Sequence, residues 1–356
     1  MKRFLLLTSL CLGACGSSGD DPTDAATGSD VTQQNDTGTK PDAAKTDGGP
    51  TDSGSTDGPV SDVSTTDGGG AIKTVFMIVM ENHSLSSIKG SASAPYINSL
   101  LPLGGHALNY STPKANHPSE PNYIWLESGD NLGITNDNDP SSNHQSTTSH
   151  LSTQLKTAGV SWKAYAEDIA GTKCPLTSTG LYAAKHTPQL FFDDVTGTND
   201  VNSAYCIAHV RPYTELATDL GGNNVARLNF ITPNLCDDMH GETFGTTCNV
   251  ITTDLVKKGD DWLKVNVPTI LNSNAYKNGG VLFIVWDEGD ENVITGASDG
   301  PVPMLVLSPL AKTGFSNSTA YTHSSMLRTV EEIFGVPLLR DAANATDLSA
   351  FFTAFP

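Results

Sequence analysis

Thr74-Val75-Phe76-Met77-Ile78-Val79-Met80 is an unbroken apolar run, and Glu81-Asn82-His83-Ser84 follows it directly. The run lacks the polar alternation of a half-exposed strand, so it reads as a strand covered on both faces, as in parallel sheets. In open α/β sheets the ligand site lies beyond the carboxyl ends of such strands. A second run, Val281-Leu282-Phe283-Ile284-Val285-Trp286, ends the same way, in Asp287-Glu288-Gly289-Asp290. Two buried strands that each deliver carboxylates at their C-terminal ends predict one acidic site able to hold a metal.

Strands are expected at Lys73–Met80, Val160–Tyr165, Arg227–Thr232, Gly280–Trp286 and Met304–Ser308. Helical patterns fall between them at Ala94–Leu101, Ser119–Glu127, Thr148–Thr157, Thr214–Leu220, Thr252–Leu271 and Thr322–Phe334. This alternation predicts an α/β fold, a three-layer α/β/α sandwich with a mostly parallel central sheet. The polar stretches Asp130–Ser146 and Thr172–Asn202 read as long surface loops, which in a compact domain are usually functional covers or disulfide-pinned excursions.

The chain has 356 residues and a formal charge of −19. Residues 1–14 form a basic start and a short apolar core, a secretory signal too short to span a bilayer. Leu12-Gly13-Ala14-Cys15 resembles the bacterial lipobox, which makes Cys15 the expected lipidated residue and implies a membrane anchor without a transmembrane segment. The alternative is an ordinary cleaved signal with an incidental Cys. Residues 15–70 hold eleven Asp, two Lys and almost no large apolar side chains, a composition that cannot offset its ordering entropy. They read as a solvated tether. Residues 71–356 read as one domain of ordinary size with enough apolar content for a core. Its acidity argues against nucleic acid as a partner.

Cys174, Cys206, Cys236 and Cys248 lie in that domain. An even number in an exported chain suggests two disulfides, of which Cys174–Cys206 and Cys236–Cys248 are preferred by proximity among three possible connectivities.

His117-Pro118-Ser119-Glu120-Pro121-Asn122-Tyr123 is the second informative segment. Ser119 fits an N-cap, and it also fits a nucleophile beside unpaired helix-end amides, where phosphate is favoured. Alone, the capping role is the commoner one. Asn234 and Asp237-Asp238-Met239-His240 follow another strand, and His323 opens a late helix. Neutral imidazole suits divalent metals and imidazolium suits phosphate. Adjacent carboxylates such as Asp287 and Glu288 repel in a dry site unless a cation keeps both ionised.

Glu81-Asn82-His83-Ser84, the His117–Tyr123 segment, Ile231-Thr232-Pro233-Asn234-Leu235-Cys236-x-Asp238-Met239-His240, Trp286-Asp287-Glu288-Gly289-Asp290 and Tyr321-Thr322-His323-Ser324 occur in the order seen in the phosphoesterase family. The chain resembles that family of acid phosphatases and phospholipases C from about Lys73 to Leu339. The resemblance implies an alkaline phosphatase-like fold and a phosphoester hydrolase working through phosphoserine. It places a divalent cation of unknown identity on Glu81, Asn82, Asp287 and Glu288. Ser119 is then the nucleophile, with His117, His240 and His323 serving the phosphate or leaving group and Asn82, Asn122 and Asn234 binding substrate. Leu85-Ser86, Gly241 and Glu120 depart from the usual pattern. Glu120, beside Ser119, disfavours highly anionic substrates. The long C-terminal extension of many phospholipase C members is not seen, which tilts the expectation towards monoesters.

The expected protein is therefore a monomeric hydrolase of small phosphoesters or phospholipid headgroups, held by its lipid at the bacterial cell envelope. Competing expectations are a phospholipase C-type phosphodiesterase and a non-catalytic surface lipoprotein that binds a ligand on the same fold.

Overall fold

The computed structural model describes residues 71–241, 248, 254–290 and 300–356. The expected signal (1–14), tether (15–70) and lipidation site Cys15 lie outside the described residues.

The sheet has eight strands. In chain order the strands of the domain are β1 Thr74–Met80, β2 Gly105–Ala107, β3 Tyr110–Ser111, β4 Trp162–Ala166, β5 Val210–Pro212, β6 Leu228–Thr232, β7 Gly280–Trp286, β8 Met304–Leu307, β9 Phe315–Asn317 and β10 Tyr321–Thr322. The spatial order is β5-β4-β6-β1-β7-β8-β2-β9, and β3 pairs with β10 in a separate ribbon. From β5 to β7 every pairing is parallel, whereas β8 runs antiparallel to both of its neighbours.

Every residue of β1 and β7 is buried. That is the physical content of their continuous apolar sequence, since neither face has water to meet. Helices supply the cover in two groups. One packs Pro95–Leu100 against Leu255–Leu271, and the other packs Ser119–Ser128 against His323–Phe334. Asp260 of the long helix accepts hydrogen bonds from the backbone N–H groups of Tyr96 and Ile97 (3.0 and 2.8 Å), satisfying donors in the first turn of its neighbour. Trp125 donates to Ser324 Oγ (2.7 Å), which joins the second pair.

Both preferred disulfides form, Cys174–Cys206 and Cys236–Cys248. The first pins the loop that runs through Thr172–Asn202. That loop is not structureless, because it contains short helical turns at Ala184–His186, Pro188–Phe191 and Asp193–Thr196.

Candidate active site

The register of β1 against β7 builds the centre of the site. Met80 sits opposite Trp286, so Glu81 and Asp287 leave neighbouring strands side by side. The Asp287 N–H donates to Met80 O (3.0 Å), and the Asn82 N–H donates to Asp287 Oδ1 (3.2 Å) across 205 positions of sequence. Asp290 closes the arrangement from outside by accepting from the Ser84 N–H (3.1 Å) and Ser87 Oγ (2.6 Å), and it pairs with His83 Nδ1 (2.8 Å).

The β6 loop joins from the other flank. The Glu81 N–H donates to Asp238 O (2.8 Å), which lays the Asp237–His240 segment against the end of β1. Asn82 and Met239 both have positive φ, 45° and 83°. Asn tolerates that region; Met rarely adopts it, and such strain concentrates at functional sites. A Cβ on Gly259 would collide with Met239, so the long helix needs glycine there to approach the loop.

Ser119 is the first residue of its helix, Pro118 is the capping residue, and no side-chain cap bond forms. The simple capping role is therefore not what the structure shows. Ser119 Oγ donates to Glu81 Oε2 at 2.9 Å, and Asn82 Oδ1 and Glu288 Oε1 each lie 3.5 Å away. Glu288 is steadied on the far side by Asn122 Nδ2 (3.1 Å) and by His117 Nδ1, 2.7 Å from its Oε2. The hydroxyl thus stands between two buried carboxylates from two different strands.

Glu81 also reaches a residue that sequence reasoning missed. His186 Nε2 lies 3.0 Å from Glu81 Oε1, and His186 Nδ1 lies 3.3 Å from Asp238 Oδ2. Tyr123 stacks on this imidazole, with ring centroids 4.9 Å apart. Among the described residues, Glu81, His186 and Asp238 offer ligand atoms within 4.8 Å of one another. Four buried atoms here make no hydrogen bond of acceptable geometry: Glu81 Oε1, His186 Nε2, Asp238 Oδ2 and Asp287 Oδ2. Orphaned polar atoms gathered in one place fit a cation, and carboxylates mixed with imidazole suit first-row divalent metals.

The electrostatics agree. Burial pushes Glu81 up to about 7, and it drives Asp238 and Asp287 well above the carboxylate range, with Glu81 adding repulsion to both. His186 is held well below its ordinary value by burial and then by Lys185. Burial opposes charge on Lys185 too, but Glu81 and Asp137 outweigh it and raise its pKa. One ammonium does not balance this many buried carboxylates.

The remaining candidates divide. His240 flanks the site: its Nδ1 donates to Gly241 O (2.7 Å), and its ring centroid is 6.1 Å from that of His186. His323 is buried with both nitrogens engaged. Its Nε2–H donates to Asp287 O (2.6 Å), which leaves Nδ1 to accept from the Tyr110 hydroxyl (2.9 Å). Burial pushes it down to about 4, and the neutral ring props Asp287 from behind. Asn234 is spent on structure. Its Oδ1 accepts from the Cys236 and Asp237 N–H groups (3.0 and 3.1 Å), and its Nδ2 donates to Asp168 (2.9 Å). Asn234 thereby folds the turn that leads to Asp238. Asn122 likewise holds Glu288 and Asn116 O (2.9 Å) from a buried position.

A model of the Phosphoesterase family matches residues 106–337. The chain belongs to that family. It is 30% identical over 275 residues to phosphatidylinositol-3-phosphatase of Mycobacterium tuberculosis, covering 77% of this chain and 81% of that protein. It is 26% identical to the phosphate-repressible acid phosphatase of Penicillium chrysogenum over 63% of this chain, and there it spans only half the length of the relative. The fold resembles that of an alkaline phosphatase superfamily protein from Vibrio parahaemolyticus. That likeness has a TM-score of 0.50 and 10% identity, with 77% of this chain and 70% of the other covered. A phosphonate monoester hydrolase from Silicibacter pomeroyi gives a TM-score of 0.51 at 12% identity, over 79% and 76%. This Phosphoesterase family member is a hydrolase of phosphoric esters, and its α/β fold is like that of an alkaline phosphatase superfamily protein.

Proposed function

We propose that this phosphoesterase is a metal-dependent phosphomonoesterase of the acid phosphatase kind, with Ser119 as its nucleophile. The observation that carries the reading is Ser119 Oγ at the first turn of a helix, 2.9 Å from Glu81 and 3.5 Å from Glu288.

Ser119 Oγ attacks phosphorus and passes its proton to the carboxylate side of the site, where Glu81 already accepts it. The bond from phosphorus to the ester oxygen breaks, and the departing alkoxide takes a proton. Water then attacks the phosphoserine, inorganic phosphate leaves, and Ser119 regains its proton. His117, whose side chain is 27% exposed and whose Nδ1 lies 2.7 Å from Glu288 Oε2, would exchange protons between that carboxylate and water. Glu81, His186 and Asp238, with Asp287 beside them, are the residues that would hold a divalent cation. Such an ion supplies neutralisation of charge on phosphoryl oxygens. The expected ligands Asn82 and Glu288 are assigned instead to the walls around Ser119.

Ser119→Ala is expected to lower kcat on p-nitrophenyl phosphate by at least about 10³-fold. Acid-quenched wild-type protein should yield phosphoserine at position 119 by mass spectrometry. Wild-type turnover in Ser119→Ala would overturn the assignment. The motif ending at Cys15 supports a further part of the proposal, a lipid-anchored protein at the bacterial cell envelope. Metabolic labelling with a fatty acid should mark the wild-type chain and not Cys15→Ser, and equal labelling of both would refute it.

A further inference from the structure

A cavity of about 540 Å³ lies beside the cluster and is lined in part by Asp137, Asp139, Ser178, Lys185 and His240. Its walls are fastened to the reacting centre on two sides. Asp137 Oδ1 accepts the N–H of Glu120, the residue after Ser119, at 3.0 Å. Lys185 directly precedes His186, whose ring lies 3.0 Å from Glu81. The cavity therefore adjoins the reacting centre on the side of Glu120 and His186.

The lining chemistry is specific in kind. Lys185 Nζ gives one donor to Asp137 Oδ2 (2.7 Å), and an ammonium has two more. The His240 Nδ1–H is committed to a carbonyl, so in the neutral ring Nε2 carries a lone pair and accepts. Ser178 fixes Asp139 through its N–H and hydroxyl (3.2 and 2.7 Å to Oδ1), and a carboxylate has lone pairs left after that. Donors and acceptors thus face the same space. A hydroxyl group donates and accepts at once, so it matches such a wall better than a purely anionic or purely apolar group. With Lys185 matched by Asp137, Asp139 leaves the lining one negative charge in excess.

We infer that this cavity is the leaving-group subsite and that it selects phosphomonoesters of neutral polyhydroxy alcohols over esters whose alcohol carries a second phosphate. The inference rests on the proposed phosphatase reading and deepens it. Asp139 is its specificity-determining residue, through repulsion of a second phosphate.

The test compares kcat/KM for glucitol 6-phosphate and glucitol 1,6-bisphosphate, with p-nitrophenyl phosphate as a reference that needs no hydroxyl recognition. Wild-type protein should prefer the monophosphate by about tenfold, equal to about 1.4 kcal/mol. Asp139→Lys should bring the two to parity or invert them. Asp139→Asn keeps the shape of the acceptor for Ser178 and should move the ratio in the same direction by at least threefold. A wild-type preference for the bisphosphate, or ratios in both variants within twofold of wild type, would overturn the subsite. Absence of wild-type turnover on all three esters would instead sink the phosphatase reading beneath it.

Discussion

Asp238→Asn should stabilise the metal-free protein while weakening its hold on a cation. Asp238 Oδ1 accepts the His240 N–H at 2.7 Å, and an Asn carbonyl can accept there equally well. The change therefore removes a charge without removing the loop's hydrogen bond. Glu81 and Asp238 offer oxygens within 4.8 Å of one another, and where both are ionised two such charges repel by about 3 kcal/mol at an effective dielectric of about 20. For a domain of this size about 2 °C of Tm corresponds to each kcal/mol, which gives a rise of roughly 6 °C. The assay is thermal unfolding at pH 8.5, above the value of about 7 to which burial pushes Glu81, first in chelator and then in Mg²⁺, Mn²⁺, Ca²⁺ or Zn²⁺. In chelator the variant should melt above wild type. With the preferred cation wild type should gain and overtake it, because only the native state binds. A variant that melts several degrees below wild type in chelator, with no cation moving either protein, would refute the reasoning.

Glu331 is buried in the helix behind Ser119 and is pushed up to about 8 by burial, although its Oε1 accepts the Leu339 N–H at 2.9 Å. A carboxylate with a raised folded pKa favours the fold fully below its unfolded value near 4.5 and loses that contribution as pH rises towards 8. Glu331→Gln should flatten the decline of stability between pH 5 and 8, and a parallel decline in urea melts would count against it. His150 bridges Glu127 (3.0 Å) and Asp194 (2.9 Å) with no exposed surface. Burial opposes its charge, but hydrogen bonds to Asp194 and Glu127 raise its pKa above the ordinary value. Its stabilisation is therefore present below about pH 6.5 and fades as pH climbs through the raised value. His150→Ala should cost about 3–5 kcal/mol at pH 6 and less at pH 9, read by denaturant unfolding. The Cys174–Cys206 bond spans 32 positions, so Cys174→Ala with Cys206→Ala should lose about 4 kcal/mol in the same assay.

The strands β1 and β7 were legible because burial on both faces leaves no polar positions to confuse the pattern. Their register then follows from pairing, which is why Glu81 and Asp287 meet as the sequence suggests. The short strands β2, β5 and β9, three residues each, carry no period long enough to detect. Ser119 was legible through its helix start and flanking motif, although its hydroxyl serves Glu81 rather than the cap. His186 was not. It sits in a 3₁₀ turn inside a long polar loop, with no strand before it and no spacing to a partner, and only tertiary packing brings it to Glu81 and Asp238. Asn234 is ambiguous for the opposite reason. A polar residue after a strand looks the same in sequence whether it meets substrate or folds a turn.

Carboxylates from β1, β7 and the β6 loop, joined by His186, are proposed to gather one cation next to a nucleophilic hydroxyl. Anomalous diffraction from crystals soaked in Mn²⁺ or Zn²⁺ tests it most directly. A single strong peak ringed by Glu81, His186 and Asp238, with Asp287 beside them and within reach of Ser119 Oγ, is the predicted result. An empty cluster at saturating metal, or a peak remote from Ser119, would contradict it.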